Sequence, residues 1–245
     1  MAEDPIKLFA TRAERYPQPT EVDAIQGGAR AALAAIPLIG GTVTEVLSMV
    51  LAPSVNRRRD EWFKELADGL DQLEAKVEGF KVENLVGNEV FVSGVIQATR
   101  AAAATHQQEK REYLRNILLK IAIGKGPGEE LQHVFISAID TFTASHVKVL
   151  DVLWNAAGNL TQRGLWSASS PHGIHDYGKA IKTLHPELAD QDNLLRYIMA
   201  DLHNWGLTNL SKPEDVFPQG GSQAITNMGV EFLTFVLKPA MEQSK

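Results

Sequence analysis

Residues 63–80 read FKELADGLDQLEAKVEGF, and the spacing of their apolar side chains decides the fold class. Phe63, Leu66, Leu70, Leu73, Val77 and Phe80 recur at alternating steps of three and four, with Lys64, Glu65, Asp68, Asp71, Glu74, Lys76 and Glu78 between them. That period lays the apolar residues along one stripe of a helix, which must be buried against a partner helix. Trp62 widens the stripe.

Working outward, Gly79, Glu83, Asn84, Gly87 and Asn88 supply the stop and turn chemistry expected between two helices. The helical pattern resumes at Phe91, Val95 and Ile96. It runs through Ala101 to Ala104 and the polar stretch THQQEKRE to Tyr113, Leu114, Ile117, Leu118 and Ile121, stopping at Gly124. Two long helices on a short connection are expected to lie antiparallel, with the alanine run allowing close approach beside Trp62 or Phe63. The fold class expected is mainly α, a long antiparallel helical hairpin or bundle followed by a small winged-helix-like module. Arg57, Arg58 and Arg59, and the cluster Lys110, Arg111 and Arg115, are expected as solvated faces and as i, i+4 partners of nearby acids rather than as a phosphate site.

On the N-terminal side, Ala31 to Pro53 reads AALAAIPLIGGTVTEVLSMVLAP, with Glu45 its only charge. The stretch has the ~20-residue length of a membrane span. Pro37, Gly40 and Gly41 break it near the middle, and an acid within a span costs about 2.5 to 3.5 kcal/mol on insertion scales. It therefore reads as two pieces, Gln26 to Leu38 and a second from about Thr42. A buried helical hairpin is the first expectation; conditional insertion of residues 31–53 into a bilayer is the second.

On the C-terminal side, GKGPGEE (residues 124–130) reads as a linker, dividing a hairpin domain at 1–125 from a module at 126–245. The module begins with a helix through Leu131, Val134, Phe135 and Ile139. A hydroxyl near Thr143 or Ser145 then caps the helix holding HVKVLDVLW. Further helices are expected at Tyr177 to Leu184 and along Leu194, Leu195, Ile198, Leu202 and Trp205. GLTNL reads as a strand, SKPEDVFPQGGSQ as a turn-rich stretch, and AITNMGVEFLTFVL as a return strand entering a last helix. Strand, loop and strand would make a wing; an irregular helical end fits the same residues.

The third helix of such a module ordinarily faces DNA. Here it carries Asp190, Asp192 and Asp201, with Arg196 and His203 as the main donors, and acids outnumber bases over residues 145–245. The whole chain has a formal net charge of −6, so nucleic acid is not an expected partner. A hydrophobic fraction of 44% with 22% charged residues places the chain among folded globular proteins.

No catalytic, cofactor-binding or metal site is expected. The chain has no cysteine, which removes disulfides, thiolate ligands and cysteine nucleophiles. GKGPGEE lacks the Lys-Ser/Thr ending of a phosphate loop. His172 and His175 beside Asp176 offer two imidazoles and a carboxylate, but without helical ligand spacing they read as a surface loop. Ser167, Ser169 and Ser170 lack a nucleophile-elbow setting. The acidic N-terminus does not read as a secretion signal, so the expected location is cytoplasmic, with membrane association through residues 31–53 as the variant.

The hairpin, the run ATRAAAATHQQEKREYLRNILL (residues 98–119), SHVKVLDVLW and ITNMGVEFLTF together resemble bacterial helical proteins of the abortive-infection, Abi-alpha type. The resemblance covers most of the chain after Pro53 and implies a phage-defence setting with a winged-helix-like end. It carries no active-site residue. The functional expectation is a non-enzymatic interaction or regulatory protein with a protein partner or self-association. A membrane-inserting effector and a DNA-binding regulator are the alternatives.

Overall fold

A computed structural model describes residues 42–165, 176–215, 224–237 and 240. The chain is mainly helical: eight α-helices and two short 3-10 turns occur among the described residues, with no strand. It divides into two compact units between Asp140 and Thr141, with Ala240 grouping with the first. The division falls at the last residue of the helix that follows the GKGPGEE linker.

Helix α1 spans Thr42–Lys76, 35 residues with Pro53 inside it, or about 52 Å at 1.5 Å per residue. The second piece of the apolar segment is thus continuous with the heptad helix, which starts well before Phe63. Nothing between Pro53 and Phe63 stops a helix, and Arg57 and Glu61 pair one turn apart at 3.8 Å. Residues 31–41, and with them the first piece, lie outside the described residues. No described helix is long and apolar enough to cross a membrane.

Gly79, at φ +78°, takes the left-handed position in the turn that follows α1. A 3-10 turn at Val82–Leu85 leads to Asn88, whose side chain accepts from the Phe91 amide at 3.1 Å and so caps α2, Glu89–Ala104. The second arm is not one helix. It breaks after Ala104, where Thr105 is extended, and restarts as α3, Gln108–Ala122. The break has a local cause: the Thr105 hydroxyl accepts from the Gln107 amide at 3.1 Å, a side-chain bond that competes with the helical ladder.

Helices α1, α2 and α3 pack pairwise. Leu66, Leu70 and Leu73 of the heptad stripe are buried, while Phe63, Val77 and Phe80 are only half-buried. Trp62 is fully enclosed and donates from Nε1 to Thr99 Oγ1 at 3.0 Å. Ala98, Ala101 and Ala102 are buried beside that contact in sequence, so the small-residue stretch does form an interior face. Helix α4, Glu129–Thr141, is held on α2 by Gln97, whose Nε2 donates to Ser137 Oγ at 2.8 Å and to the His133 carbonyl at 3.2 Å.

Arg111 corrects the expectation of a solvated cation. Its side chain is buried and its guanidinium donates to Glu61 at 3.3 Å, Glu65 at 3.2 Å and Gln108 at 3.3 Å. The cause is register: α3 lies so that Arg111 meets two acids spaced one turn apart on α1. Arg111→Met keeps the apolar stem and removes the donors. Because Glu61 and Glu65 are partly exposed and regain water, the expected loss is about 1–2 kcal/mol in urea unfolding. A loss below a few tenths would mean the clamp is ornamental.

The second unit contains α5, Ala144–Gln162, kinked at Asn155; α6, Tyr177–Leu184; α7, Asp192–Asn204; and α8, Asn227–Leu237. Helix α5 packs on α6, α7 and α8, enclosing Phe142, Leu150, Ile181, Leu195, Ile198, Leu202, Phe232 and Leu233. Where a strand pair was expected, one antiparallel bridge joins Thr208 and Ile225. It is reinforced by Asn209 N–H to the Ala224 carbonyl at 2.9 Å and Thr226 N–H to the Leu207 carbonyl at 3.1 Å.

Candidate functional site

Helices α6 and α7 and the turn at residues 211–215 enclose a groove of about 480 Å³ in the second unit. Asp176 caps α6, accepting from the Lys179 amide at 2.7 Å, and also pairs with the Lys179 ammonium at 3.2 Å. The turn is bonded to the start of α6: Gly178 N–H donates to the Pro213 carbonyl at 2.7 Å, and Tyr177 N–H to the Asp215 carbonyl at 3.0 Å. Position 178 needs glycine, because a Cβ there would lie 2.9 Å from the Pro213 oxygen.

The groove is lined by three cations and three carboxylates. Each cation is already matched: Lys179 with Asp176, Lys182 with Asp192, Arg196 with Glu214. Arg196 holds Glu214 through both terminal nitrogens, one on each carboxylate oxygen, the two-pronged geometry that a guanidinium reserves for carboxylate or phosphate. The Lys182 ammonium bonded to Asp192 holds that carboxyl below the usual range. Asp192, Arg196 and Glu214 are more than half exposed and Lys182 about a third, so the pairs orient side chains more than they stabilise the fold.

Next to Arg196, Tyr197 is 59% exposed. Its hydroxyl bonds Asp201, which raises the phenol's pKa, and its ring stands edge-on to His146 at 6.2 Å. His146 is buried and stacked on Phe142 at 4.7 Å. The Thr143 backbone N–H donates to its Nδ1 at 3.1 Å, so the ring proton sits on Nε2, facing Asp201 Oδ2 at 3.5 Å. Thr143, His146 and Asp201 thus resemble a hydroxyl–imidazole–carboxylate relay in order alone. The Thr143 contacts form the capping box of α5, and the groove is lined by none of the three. Asp201 is shared between His146 and the Tyr197 hydroxyl.

The two donors singled out on the third helix are both engaged. Arg196 holds Glu214, and His203 Nδ1 lies 3.1 Å from the Thr208 carbonyl. His172 and His175, with Ser167, Ser169 and Ser170, fall outside the described residues. Among the described residues no group of three or more His, Asp or Glu side chains could hold a metal ion. Asp201, read from sequence as a surface acid against DNA, instead faces His146 and Tyr197. Glu214 was not singled out in the sequence, since its partner Arg196 lies eighteen positions away across a turn-rich stretch.

Asp151 on α5 supplies a pH test of this unit. Burial raises its carboxyl pKa above 3.8, only partly offset by His185. A carboxyl raised in the folded state keeps its proton there after the unfolded chain has lost one, so stability falls as pH rises from about 3.8 to the raised value. Asp151→Asn is expected to raise Tm at pH 7 and to leave it nearly unchanged at pH 3.5. An equal change at both pH values would assign the effect to packing instead.

No protein family, curated protein or solved structure matches this chain.

Proposed function

We propose that this chain is a non-enzymatic interaction or regulatory protein, with the helical hairpin as scaffold and the winged-helix-like second unit as the part that engages another protein. The observation carrying the reading is the state of the groove: every cation lining it is already matched by a carboxylate. A surface built to bind DNA phosphates keeps its Lys and Arg available, because affinity comes from their displacing counterions. This one alternates signs, as protein interfaces do where charge sets register and excludes wrong partners. Arg196 and Tyr197, both exposed on α7, are residue types that anchor such contacts, and the Tyr197 hydroxyl is bonded to Asp201. The resemblance to abortive-infection proteins suits a regulatory role in phage defence.

The test is affinity capture from bacterial cells under phage challenge, comparing the wild-type chain with a Lys182→Glu, Arg196→Glu variant whose helical content is unchanged. A protein retained by the first and lost by the second supports the reading. A chain that elutes as a monomer at all concentrations and captures nothing sensitive to those substitutions overturns it.

A further inference from the structure

Helix α2 turns Phe91, Gly94, Ala98 and Ala101 inward and leaves its opposite side to solvent. There Glu89, Val92, Ser93, Ile96, Arg100 and Ala104 are exposed, at steps of three and four that place them on one stripe of the helix. Val92 is 40% exposed and Ile96 51%. A lone aliphatic side chain on a surface is ordinary, but these two are successive on one stripe. The flanks of α2 are already engaged, Thr99 with Trp62 of α1 and Gln97 with Ser137 of α4.

The charges that bracket the apolar pair are opposite in sign. Among the described residues neither Glu89 nor Arg100 forms an ion pair or a side-chain hydrogen bond. They lie about 16 Å apart along the helix axis, so they do not reach each other. Turned end for end, the stripe is its own complement. The midpoint of Glu89 and Arg100 falls between residues 94 and 95, and that of Val92 and Ile96 at residue 94. A two-fold axis there sets Glu89 of each copy against Arg100 of the other, and brings Val92 and Ile96 of the two copies level to within about one residue's rise of 1.5 Å. Ser93 beside them is small and leaves room for the facing isoleucine.

We propose that this face of α2 is the interface of a homodimer in which two copies pair antiparallel about a two-fold axis. Self-complementarity identifies the occupant. An isologous contact requires that residue i meet residue j while j meets i, and a stripe with an acid at one end, a base at the other and aliphatic residues between them meets that condition with a second copy of the same chain. Helix α2 has 16 residues, a length of about 24 Å, and one face of it is at the small end of the ~1,200–2,000 Å² that stable interfaces bury. The dimer is therefore reversible and concentration-dependent, held by the aliphatic side chains and kept in register by the charges. The surface belongs to the first unit and is separate from the groove of the second, so this inference goes beyond the reading above.

Sedimentation velocity of the full chain, from micromolar to near-millimolar concentration, tests it in ~0.15 M salt, where the net charge of −6 on each copy is screened beyond about 8 Å. The wild type is expected to pass from monomer to dimer across that range. Glu89→Lys and Arg100→Glu, each alone, set like charges against each other in the dimer and are expected to weaken it about tenfold. Mixed together, the two variants bring a doubly positive stripe to a doubly negative one and are expected to pair at least as tightly as wild type. An effect confined to one chain does not produce that result. Ile96→Asp, at a solvated position, is expected to give a monomer with wild-type helical content. A wild-type chain that stays monomeric at every concentration overturns the proposal. So does a dimer indifferent to these substitutions, or a mixture of the two charge variants that stays monomeric. A monomer that still captures a protein sensitive to Lys182→Glu, Arg196→Glu removes this proposal and leaves the protein-interaction reading standing.

Discussion

A Gly229→Ala variant is expected to lose about 3 kcal/mol or more from the second unit, the upper end of what inserting one methyl group into a packed site costs. Gly229 lies in the first turn of α8, and a Cβ at this position would sit 2.1 Å from the Leu207 carbonyl oxygen and 3.0 Å from its carbon. Those are backbone atoms, so no side-chain rotation relieves the clash. The Leu207 carbonyl is itself fixed by the Thr226 amide at 3.1 Å, and Thr226 Oγ1 both donates to the Gly206 carbonyl at 2.6 Å and accepts from the Gly229 amide at 3.0 Å. Relief requires α8 to move away from the bridge. That helix carries Phe232, Leu233, Phe235 and Val236 into the core, with Phe232 edge-on to Phe142 at 6.3 Å.

Alanine's better helix propensity works the other way, by about 1 kcal/mol at most. The clash exceeds it, so the net sign is destabilising. Native-state hydrogen exchange separates the two units: amides of α5, α7 and α8 are expected to lose protection while those of α1 to α3 keep theirs. Unchanged protection in α8 would show that the close approach is not what seats this helix.

How far such contacts are legible in the sequence varies with their range. The stripe Leu66, Leu70, Leu73 and the enclosed Trp62 follow from periodicity, because a helix imposes its 3.6-residue repeat on whatever it buries. The interior role of Ala98, Ala101 and Ala102 follows from size. The break at Thr105 was hidden because THQQEKRE contains neither glycine nor proline; the one available signal was a threonine able to bond its own backbone two residues on. The burial of Arg111 is a matter of inter-helix register, which a cluster of cations in a sequence does not encode. In the second unit the helices were legible and the strand pair was not, since the chain commits to a single bridge before α8 begins at Asn227. Glu214 was the least accessible of all. Its meaning comes from Gly178 and Arg196, each more than fifteen residues away, and only the folded turn puts the three together.

Trp62→Ala in the first unit carries an expected loss of about 3–5 kcal/mol, which is a large share of the ~5–15 kcal/mol that holds a domain of this size together. Two terms add. The indole is fully enclosed, and an aromatic side chain of that size removes about 150–250 Å² from water, so its truncation leaves a void between helices that are otherwise drawn together by small residues. The Nε1 donor to Thr99 Oγ1 at 3.0 Å adds about 1 kcal/mol, and its removal leaves a threonine hydroxyl to find another partner in a part-buried site. Trp62→Phe separates the terms in part, since it keeps a six-membered ring and loses the donor together with the pyrrole portion; it is expected to cost about 1–2 kcal/mol. Urea unfolding of the three chains decides the matter. If Trp62→Ala falls no further than Trp62→Phe, the void collapses and packing at this position is adjustable. If it falls by the full amount, the contact of α1 with α2 depends on one indole.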